Sequence, residues 1–541
     1  MKPHSSRDKS SICCWLSALA VVGLVALQSP WAGAADPIAA PAAAPPRAKS
    51  IAERPWATAW VSSLARALAA CDVIYESAGR TELSVTLEDR LAEYRAFQGI
   101  DRTRPVGVMW TWDDVNDPPA TIFLPIQQID ELMKTATFDV VGYHKVSENR
   151  YEIERPGIPY HVLLHSGYAL FGEEIPALQA LRESPERVTR DLRDKYDLVL
   201  LVDQKQVPRE SKQLRIDAVR AQFEPWLQAQ DDEAVESATL RRALGKTLLD
   251  LFERLVLDTR TLMLAARLDG RTHQIHVDLT LQAESGSTMA AGLNQLIVRQ
   301  SEFSALVHRG ASAGLAINFP LTLLGQEGPA ASGEKIPRGA RLDAGVQIVG
   351  DGWDDTAVIA GLRGSEAAAL NAALPHLLKR MEQSQQFAEV TVNAETHRGV
   401  RIHRVIPQNI PEMFQAVLRP EITVLIGQGT ETIWLAAGNP ELLLERLQQA
   451  IDAVEDAPAA ERAPAVVQAR LSAGKFPTIF PTAAGGQIEG VDPAAKADDG
   501  FSLIVQPVTD GLKVRLTVEE GLVRLLGQHW AEQVDRQDAA R

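Results

Sequence analysis

The chain is poor in cysteine, and this scarcity limits how its fold can be stabilised. Only three cysteines occur in 541 residues, and Cys13 and Cys14 lie in an apolar segment near the N-terminus. If that segment is removed, Cys71 remains alone, so no disulfide bond can form within the mature chain. The fold must then be held by its core, and a hydrophobic fraction of 45% is ordinary for a globular protein.

The sequence also lacks basic excess and the common catalytic and nucleotide-binding motifs. Its formal net charge is −15, whereas nucleic acid and anionic lipid call for basic patches. We therefore expect no nucleic-acid partner. No G-x-G-x-x-G, P-loop or H-E-x-x-H string occurs. The sequence accordingly assigns no catalytic residue, no cofactor or cofactor-binding residue, and no metal ligand.

The longest apolar run is at the N-terminus, and it has the pattern of an export signal. Arg7 and Lys9 precede "ICCWLSALAVVGLVAL", and the small residues 32–34 follow it. This order predicts a secretory signal peptide over residues 1–34. The run is shorter than the roughly 20 residues of a spanning helix, so we expect no stable membrane insertion after cleavage. An uncleaved membrane anchor is the alternative.

Cleavage would leave an acidic protein in the periplasm or outside the cell. The signal segment carries three cationic residues and one acidic residue, so its removal changes the net charge from −15 to −17. An Ala/Pro-rich linker is predicted to follow over residues 35–55. At the other end, residues 535–541 are predicted to form a polar tail.

Between these ends, similar segments recur in the same order and predict two tandem repeats, at residues 56–300 and 301–534. Gly107 matches Gly345 in the first pair of segments, and Tyr168 matches Trp434 in the second. Near the end of each repeat, an Asp-Gly pair lies between two strand-like runs, at 269–270 and 510–511. This dipeptide favours the turn of a β-hairpin.

The fold class predicted from these segments is α+β, with two diverged tandem repeats. Short strands, mostly in hairpins, alternate irregularly with helices in each repeat. We therefore expect each repeat to be a mainly antiparallel sheet with helices packed on one face.

The string Gly310–Gly314 matches the G-x-S-x-G pattern of a serine hydrolase, with His308 just upstream. A nucleophile elbow needs a strand before the serine and a helix after it. Strand-like alternation follows Ser312, so we interpret it as a turn residue. A second Ser-Ala-Gly, at 77–79, is predicted to form the turn of an equivalent hairpin over residues 72–87.

The other polar clusters fit metal or ligand sites less well than ordinary structural roles. Three histidines could bind Zn²⁺, and acidic turns in both repeats could bind Ca²⁺, but neither set has the spacing of a known site. Tryptophans beside these turns could form a ligand surface. We predict that Cys71 is a buried side chain rather than a nucleophile. The residues concerned are His144, His161 and His165; Asp113, Asp114, Asp117, Asp351, Asp354 and Asp355; and Trp110, Trp112 and Trp353.

The functional hypothesis from the sequence is an exported, non-catalytic protein that binds an unknown protein partner or small-molecule ligand. It depends on the export signal and on the absence of an intact catalytic motif. The alternative is a periplasmic or secreted hydrolase whose site is assembled from residues distant in sequence.

Overall fold

A computed structural model describes most of the chain between residues 54 and 539. The predicted signal peptide and nearly all of the predicted linker lie outside the described residues. The described ranges are 54–93, 97–111, 120–136, 142–154, 160–181, 183–228, 235–298, 301–320, 341–350, 355–408, 422–457, 465–472, 475 and 499–539.

The fold is mixed α+β with extensive antiparallel sheet, as the sequence predicts. The chain divides into two compact units. Unit 1 contains residues 1–69 and 87–267, and unit 2 contains residues 70–86 and 268–541. A short N-terminal segment, 70–86, therefore belongs to the unit formed by the C-terminal half. In the described part of the chain, no helix is both long and apolar enough to cross a membrane.

Nine described strands form the sheet of unit 1. They are β1 (Pro55–Val61), β2 (Val106–Thr111), β3 (Ala120–Pro125), β4 (Tyr143–Ser147), β5 (Arg150–Ile153), β6 (Tyr160–His165), β7 (Tyr168–Gly172), β8 (Leu198–Asp203) and β9 (Thr259–Asp269). Their spatial order is β9-β8-β1-β2-β3-β7-β6-β5-β4, and each neighbouring pair is antiparallel.

The first seven described helices lie between these strands. They are α1 (Leu64–Ser77), α2 (Glu82–Glu93), α3 (Ile129–Ala136), α4 (Ile175–Ala180), α5 (Pro185–Arg193), α6 (Arg209–Leu227) and α7 (Val235–Asp258). A short 3₁₀ helix, Gln204–Gln206, follows β8. Helices α1 and α2 cross the boundary between the units.

Strand β7 shows that helices cover both faces of this sheet. Tyr168 and Leu170 pack in a cluster with α4, whereas Ala169 and Phe171 pack in a second cluster with α3. Successive side chains of a strand point to opposite faces, and all five residues of β7 are buried. The prediction of helices on one face is therefore corrected. The continuous apolar run "YALF" is typical of a strand buried on both sides.

Eleven described strands form the sheet of unit 2. They are β10 (Gln274–Ala283), β11 (Ala313–Pro320), β12 (Arg341–Val349), β13 (Ala357–Arg363), β14 (Phe387–His397), β15 (Val400–Pro407), β16 (Thr423–Gln428), β17 (Thr432–Gly438), β18 (Val467–Ser472), β19 (Gly500–Val508) and β20 (Gly511–Val518). Their spatial order is β10-β20-β19-β18-β11-β12-β13-β17-β16-β15-β14, again antiparallel throughout.

The remaining described helices are α8 (Thr288–Asn294), α9 (Ser365–Glu382), α10 (Pro440–Asp456) and α11 (Glu520–Ala539), with 3₁₀ turns at Gln295–Val298 and Glu302–Leu306. Helix α10 begins where the Asn439 side chain accepts a hydrogen bond from the Glu441 amide (3.0 Å). Its apolar positions recur every three or four residues and pack on one cluster, while α9 packs on a separate one.

Two glycines allow an aromatic pair to fill the core beneath α10. Phe303 and Trp434 meet edge to face, with 5.4 Å between their ring centroids. A Cβ atom at Gly345 or Gly361 would come within 2.4 or 2.2 Å of the Phe303 side chain. The missing side chains on β12 and β13 therefore create the space that the ring occupies.

The predicted hairpin over residues 72–87 is wrong, because this stretch contains the end of α1 and the beginning of α2. Gly79 has a φ of +74°, which suits a residue just beyond a helix C-terminus. Tyr75 and Leu83 pack against Ala531 of α11, and this packing favours helix over the local strand-like pattern.

The predicted hairpin around Asp510 and Gly511 is confirmed by the pairing of β19 with β20, but its two-residue turn is Thr509–Asp510, where Asp510 has a φ of +53°, and Gly511 already pairs with Val508 as the first residue of β20. Helix α11 continues to Ala539, past the start of the predicted polar tail. Within that stretch, Asp535 accepts two hydrogen bonds of 3.0 Å from Arg80.

Candidate functional site

A cavity of about 290 Å³ lies in unit 2, where the ends of β12 and β18 approach helix α10. Four segments distant in sequence contribute to its wall. The lining residues are His308, Gly310, Gln347, Val349, Gly350, Arg446, Gln449, Ala450, Ala453 and Lys475.

The pairing of β11 brings these segments together. Gly314 of β11 lies opposite Gln347 of β12 on one side and opposite Arg470 of β18 on the other. A Cβ atom at Gly314 would lie 2.8 Å from the Leu306 carbonyl oxygen. Glycine is therefore needed where the chain leading to His308 crosses the sheet.

Ser312 stabilises this backbone arrangement with two hydrogen bonds. Its hydroxyl donates to the Gly350 carbonyl (3.0 Å) and its amide donates to the Ile348 carbonyl (2.8 Å). It lies in a bend between the 3₁₀ turn Glu302–Leu306 and strand β11, so it is not between a strand and a helix. The interpretation of Ser312 as a turn residue is confirmed, although residues 77–79 are not its structural equivalent.

Two cationic side chains contribute to the wall. Arg446 donates from Nη1 to the Val349 carbonyl (3.1 Å) and from Nη2 to Asp355 Oδ2 (3.0 Å). Lys475 Nζ donates to the Gly310 carbonyl (3.1 Å). None of the described residues that line the cavity is an Asp or a Glu. Asp355 offsets the charge of Arg446, so the described wall carries a modest excess of positive charge, which favours a negatively charged group.

His308 adds a neutral ring to these charges. The His308 side chain is exposed, yet partial desolvation by neighbouring groups lowers its pKa, the positive charges of Lys475 and Arg470 act in the same direction, and the Gln347 side chain acts against them. The His308 Nδ1 atom accepts a hydrogen bond from the Gly310 amide (3.1 Å). Near neutral pH the ring is uncharged, because its ordinary pKa is already about 6.5.

Gln347 is the most unusual residue of the wall. It is 4% exposed, and although its side chain interacts with the His308 ring, no group in the described part of the chain reaches its Oε1 atom with full hydrogen-bond distance and angle. Buried polar groups are nearly always hydrogen-bonded. An exception in a cavity wall indicates a place where another molecule could donate.

A buried ion pair lies next to this region. Arg470 donates from both terminal nitrogens to Glu519 (2.8 and 2.6 Å), and each residue is 7% exposed. Burial opposes ionisation of Glu519, but the bonds and charge of Arg470, with help from Arg309 and the Gly500 amide, hold its pKa below the ordinary value. The pKa of nearby Asp499 is raised by burial and by the Glu519 charge.

The acidic turns and their tryptophans fall largely outside the described residues. Asp113, Asp114, Asp117, Asp351, Asp354, Trp112 and Trp353 belong to that group. Asp355 is described and pairs with Arg446, so it anchors the cavity wall. Trp110 is half-buried and packs in a small cluster with Trp56.

The predicted histidine set is only partly assembled. Strand pairing aligns His144, Glu152 and His161 across β4, β5 and β6, and His144 lies 3.9 Å from Glu152. Within the described ranges, however, no group of three side chains could hold a metal ion. Cys71 is half-buried and its thiol pKa is raised by burial, which disfavours the reactive thiolate.

His308 stands out in the sequence because it precedes the G-x-S-x-G string, whereas Gln347, Arg446 and Lys475 lie in no recognisable motif. The segment "LDAGVQIV" carried one usable signal, because alternation places Asp343, Gly345 and Gln347 on the same face of a strand. Polar residues on the face that meets the core are unusual. Arg446 and Lys475 carry no comparable local signal.

Comparison of the chain with protein-family models, with curated proteins and with solved structures finds no match.

Proposed function

We propose that this chain is an exported binding protein that holds a small molecule in the cavity of unit 2. The order of basic, apolar and small residues over 1–34 supports export. The observation that carries the binding function is the buried Gln347 Oε1 atom in the cavity wall. Leaving such an atom without a donor costs about 1–3 kcal/mol, and a bound ligand would remove that cost.

The catalytic alternative has less support from the same region. Ser312 is 1% exposed and its hydroxyl donates to the Gly350 carbonyl. A serine nucleophile needs an exposed oxygen and a base within hydrogen-bond reach. The described geometry therefore favours binding over serine hydrolysis.

We also propose that the two units arose by tandem duplication. Read from β9 to β4 and from β19 to β14, the nine strands of each series follow the same order of connections. Gly107 and Gly345 occupy corresponding strands. Strand pairing then makes Leu170, rather than Tyr168, the counterpart of Trp434, so the shared strand order is the main support for common descent.

The binding function is tested by screening the purified chain from residue 35 onward against a small-molecule library, using thermal unfolding. A true ligand should raise the Tm of the wild type and of Gln383→Met, an exposed control outside the cavity. It should not raise the Tm of Gln347→Met. If no compound stabilises the wild type, or if stabilisation is unchanged in Gln347→Met, the proposed site is incorrect.

Export is tested separately by fractionating cells that express the full chain. An N-terminal sequence beginning at Ala35 in the soluble envelope or secreted fraction is the expected result. Recovery of an intact N-terminus with the membranes would instead support the anchored alternative.

A further inference from the structure

We propose that the cavity of unit 2 selects a small hydroxy acid, with its acidic group toward Lys475 and Arg446 and its hydroxyl toward Gln347. This inference rests on the proposed binding function and adds the chemical class of the ligand.

The acidic group follows from the charges in the wall. Lys475 and Arg446 approach the cavity from two different elements, and no carboxylate is among the described lining residues. Arg446 is fixed in place by its bonds to Asp355 and to the Val349 carbonyl. A guanidinium held in this way is preorganised to hydrogen-bond a carboxylate or phosphate oxygen.

The hydroxyl group follows from Gln347. Its Oε1 atom can only accept hydrogen bonds, and it receives none from the described residues. A ligand that brings a donor would satisfy this buried oxygen. A simple acid without a donor would leave it unsatisfied inside the complex.

The donor should be a neutral hydroxyl rather than an ammonium group. Lys475 and Arg446 line the same cavity as Gln347. Their charges therefore disfavour a further positive charge at this end of the cavity. An amino acid would place its ammonium group against them, whereas the corresponding hydroxy acid would not.

The volume of the cavity restricts the size of the ligand. Its 290 Å³ is slightly below the range of about 300–1,000 Å³ for pockets that hold drug-sized molecules. A short-chain acid of a few carbons therefore fits better than a sugar polymer, a peptide or a lipid.

Matched pairs of acids test this inference with the purified mature chain. Calorimetry should compare lactate with propionate and malate with succinate, with alanine and 1,2-propanediol as probes of charge. We expect at least about tenfold tighter binding of each hydroxy acid, since one satisfied buried hydrogen bond is worth about 1.4 kcal/mol. Alanine and the diol should bind more weakly than lactate.

Three variants separate the two contacts. Gln347→Met should reduce lactate affinity to that of propionate and leave propionate unchanged. Lys475→Met should weaken both acids by a similar factor, whereas Lys379→Met, an exposed lysine on α9, should change neither.

The outcomes distinguish the ligand class from the binding function itself. Equal binding of hydroxy and deoxy acids by the wild type, or a preference that survives in Gln347→Met, would overturn the hydroxy-acid assignment while leaving a binding protein. Failure of all these probes, while other library compounds bind at the cavity, would also overturn the assignment. Failure of every compound would overturn the proposed function as well.

Discussion

Strands β2 and β12 occupy corresponding places in their units, yet they differ in what they bury. Both carry a glycine, Gly107 or Gly345, and both have a buried residue two positions later. In β2 that residue is Met109, which is fully buried in an apolar cluster with Trp60 and Phe123. In β12 it is Gln347, which faces the cavity. This position therefore holds an apolar core residue in unit 1 and a polar cavity-lining residue in unit 2.

The same contrast extends to the neighbouring strands β8 and β18. Strand β8 reads "LVLLVD" and packs through Val199 and Val202. Strand β18 reads "VQARLS" and buries Arg470 in an ion pair with Glu519. A buried ion pair often stabilises a fold no more than apolar residues of similar volume would. Its retention in unit 2 fits a region where charge contributes to the site.

The largest loss of stability is expected when Arg470, the main partner of the buried Glu519 carboxylate, is removed. Arg470→Leu should lower the free energy of unfolding by about 3–5 kcal/mol, because Glu519 would stay buried without its partner. Urea unfolding measures this loss. The double variant Arg470→Leu/Glu519→Leu should recover most of it, and a double variant as unstable as the single one would contradict this explanation.

A smaller loss is expected when unit 1 receives the polar residue of unit 2. Met109→Gln should cost about 1–3 kcal/mol, because an amide would be buried among apolar side chains without partners. Met109→Leu is the matched control and should cost less than about 1.5 kcal/mol. Hydrogen exchange in peptides of unit 1 would locate the loss, and equal effects of both variants would argue against a polar cost.

Giving unit 2 the methionine of unit 1 should stabilise the protein, whereas the exchange in unit 1 destabilises it. Without ligand, Gln347→Met should raise the free energy of unfolding by roughly 1 kcal/mol, because it removes an unsatisfied buried oxygen. Urea unfolding of the ligand-free protein tests this. A clear destabilisation would mean that the Gln347 side chain stabilises the native state. The proposed difference between Met109 in β2 and Gln347 in β12 would then be wrong.

The smallest effect concerns a carboxyl near the ion pair. Burial, the Glu519 charge and the Glu520 charge raise the pKa of Asp499. A carboxyl whose pKa is raised by folding favours the native state at low pH, and this contribution is lost as the pH rises through the folded pKa. Asp499→Asn should therefore be more stable than the wild type at pH 7, with the difference shrinking toward about pH 4. Urea midpoints that differ equally at both pH values would contradict this.

The predictable parts of the fold were those that local patterns specify. The hairpin of β19 and β20 could be predicted because turn-forming residues separate two strand-like runs, although the turn itself lies one residue earlier than the Asp-Gly pair, at Thr509–Asp510. The segment around Ser77 could not, since its helix depends on packing of Tyr75 and Leu83 against a residue far along the chain. An alternating apolar pattern does not by itself distinguish the strands of a hairpin from the helices found around Ser77.

The candidate site was less accessible to sequence reasoning than the fold. Gln347 and Arg470 become neighbours only because each pairs with Gly314, and strand register of this kind depends on the complete sheet. The G-x-S-x-G string did mark the right region for a different reason. Its second glycine permits the close approach of the chain near Leu306, and this approach places His308 at the cavity.

The membership of residues 70–86 in unit 2 has a consequence for the time course of folding. Arg80 and its partner Asp535 are separated by 455 residues. At synthesis rates of about 5–20 residues per second, roughly 20 to 90 s pass between the appearance of one and the other. During that interval, Tyr75 and Leu83 cannot reach α11. The completion of unit 2 must therefore wait for the last helix to leave the ribosome, and a nascent chain halted before that helix would expose apolar surface near its own beginning.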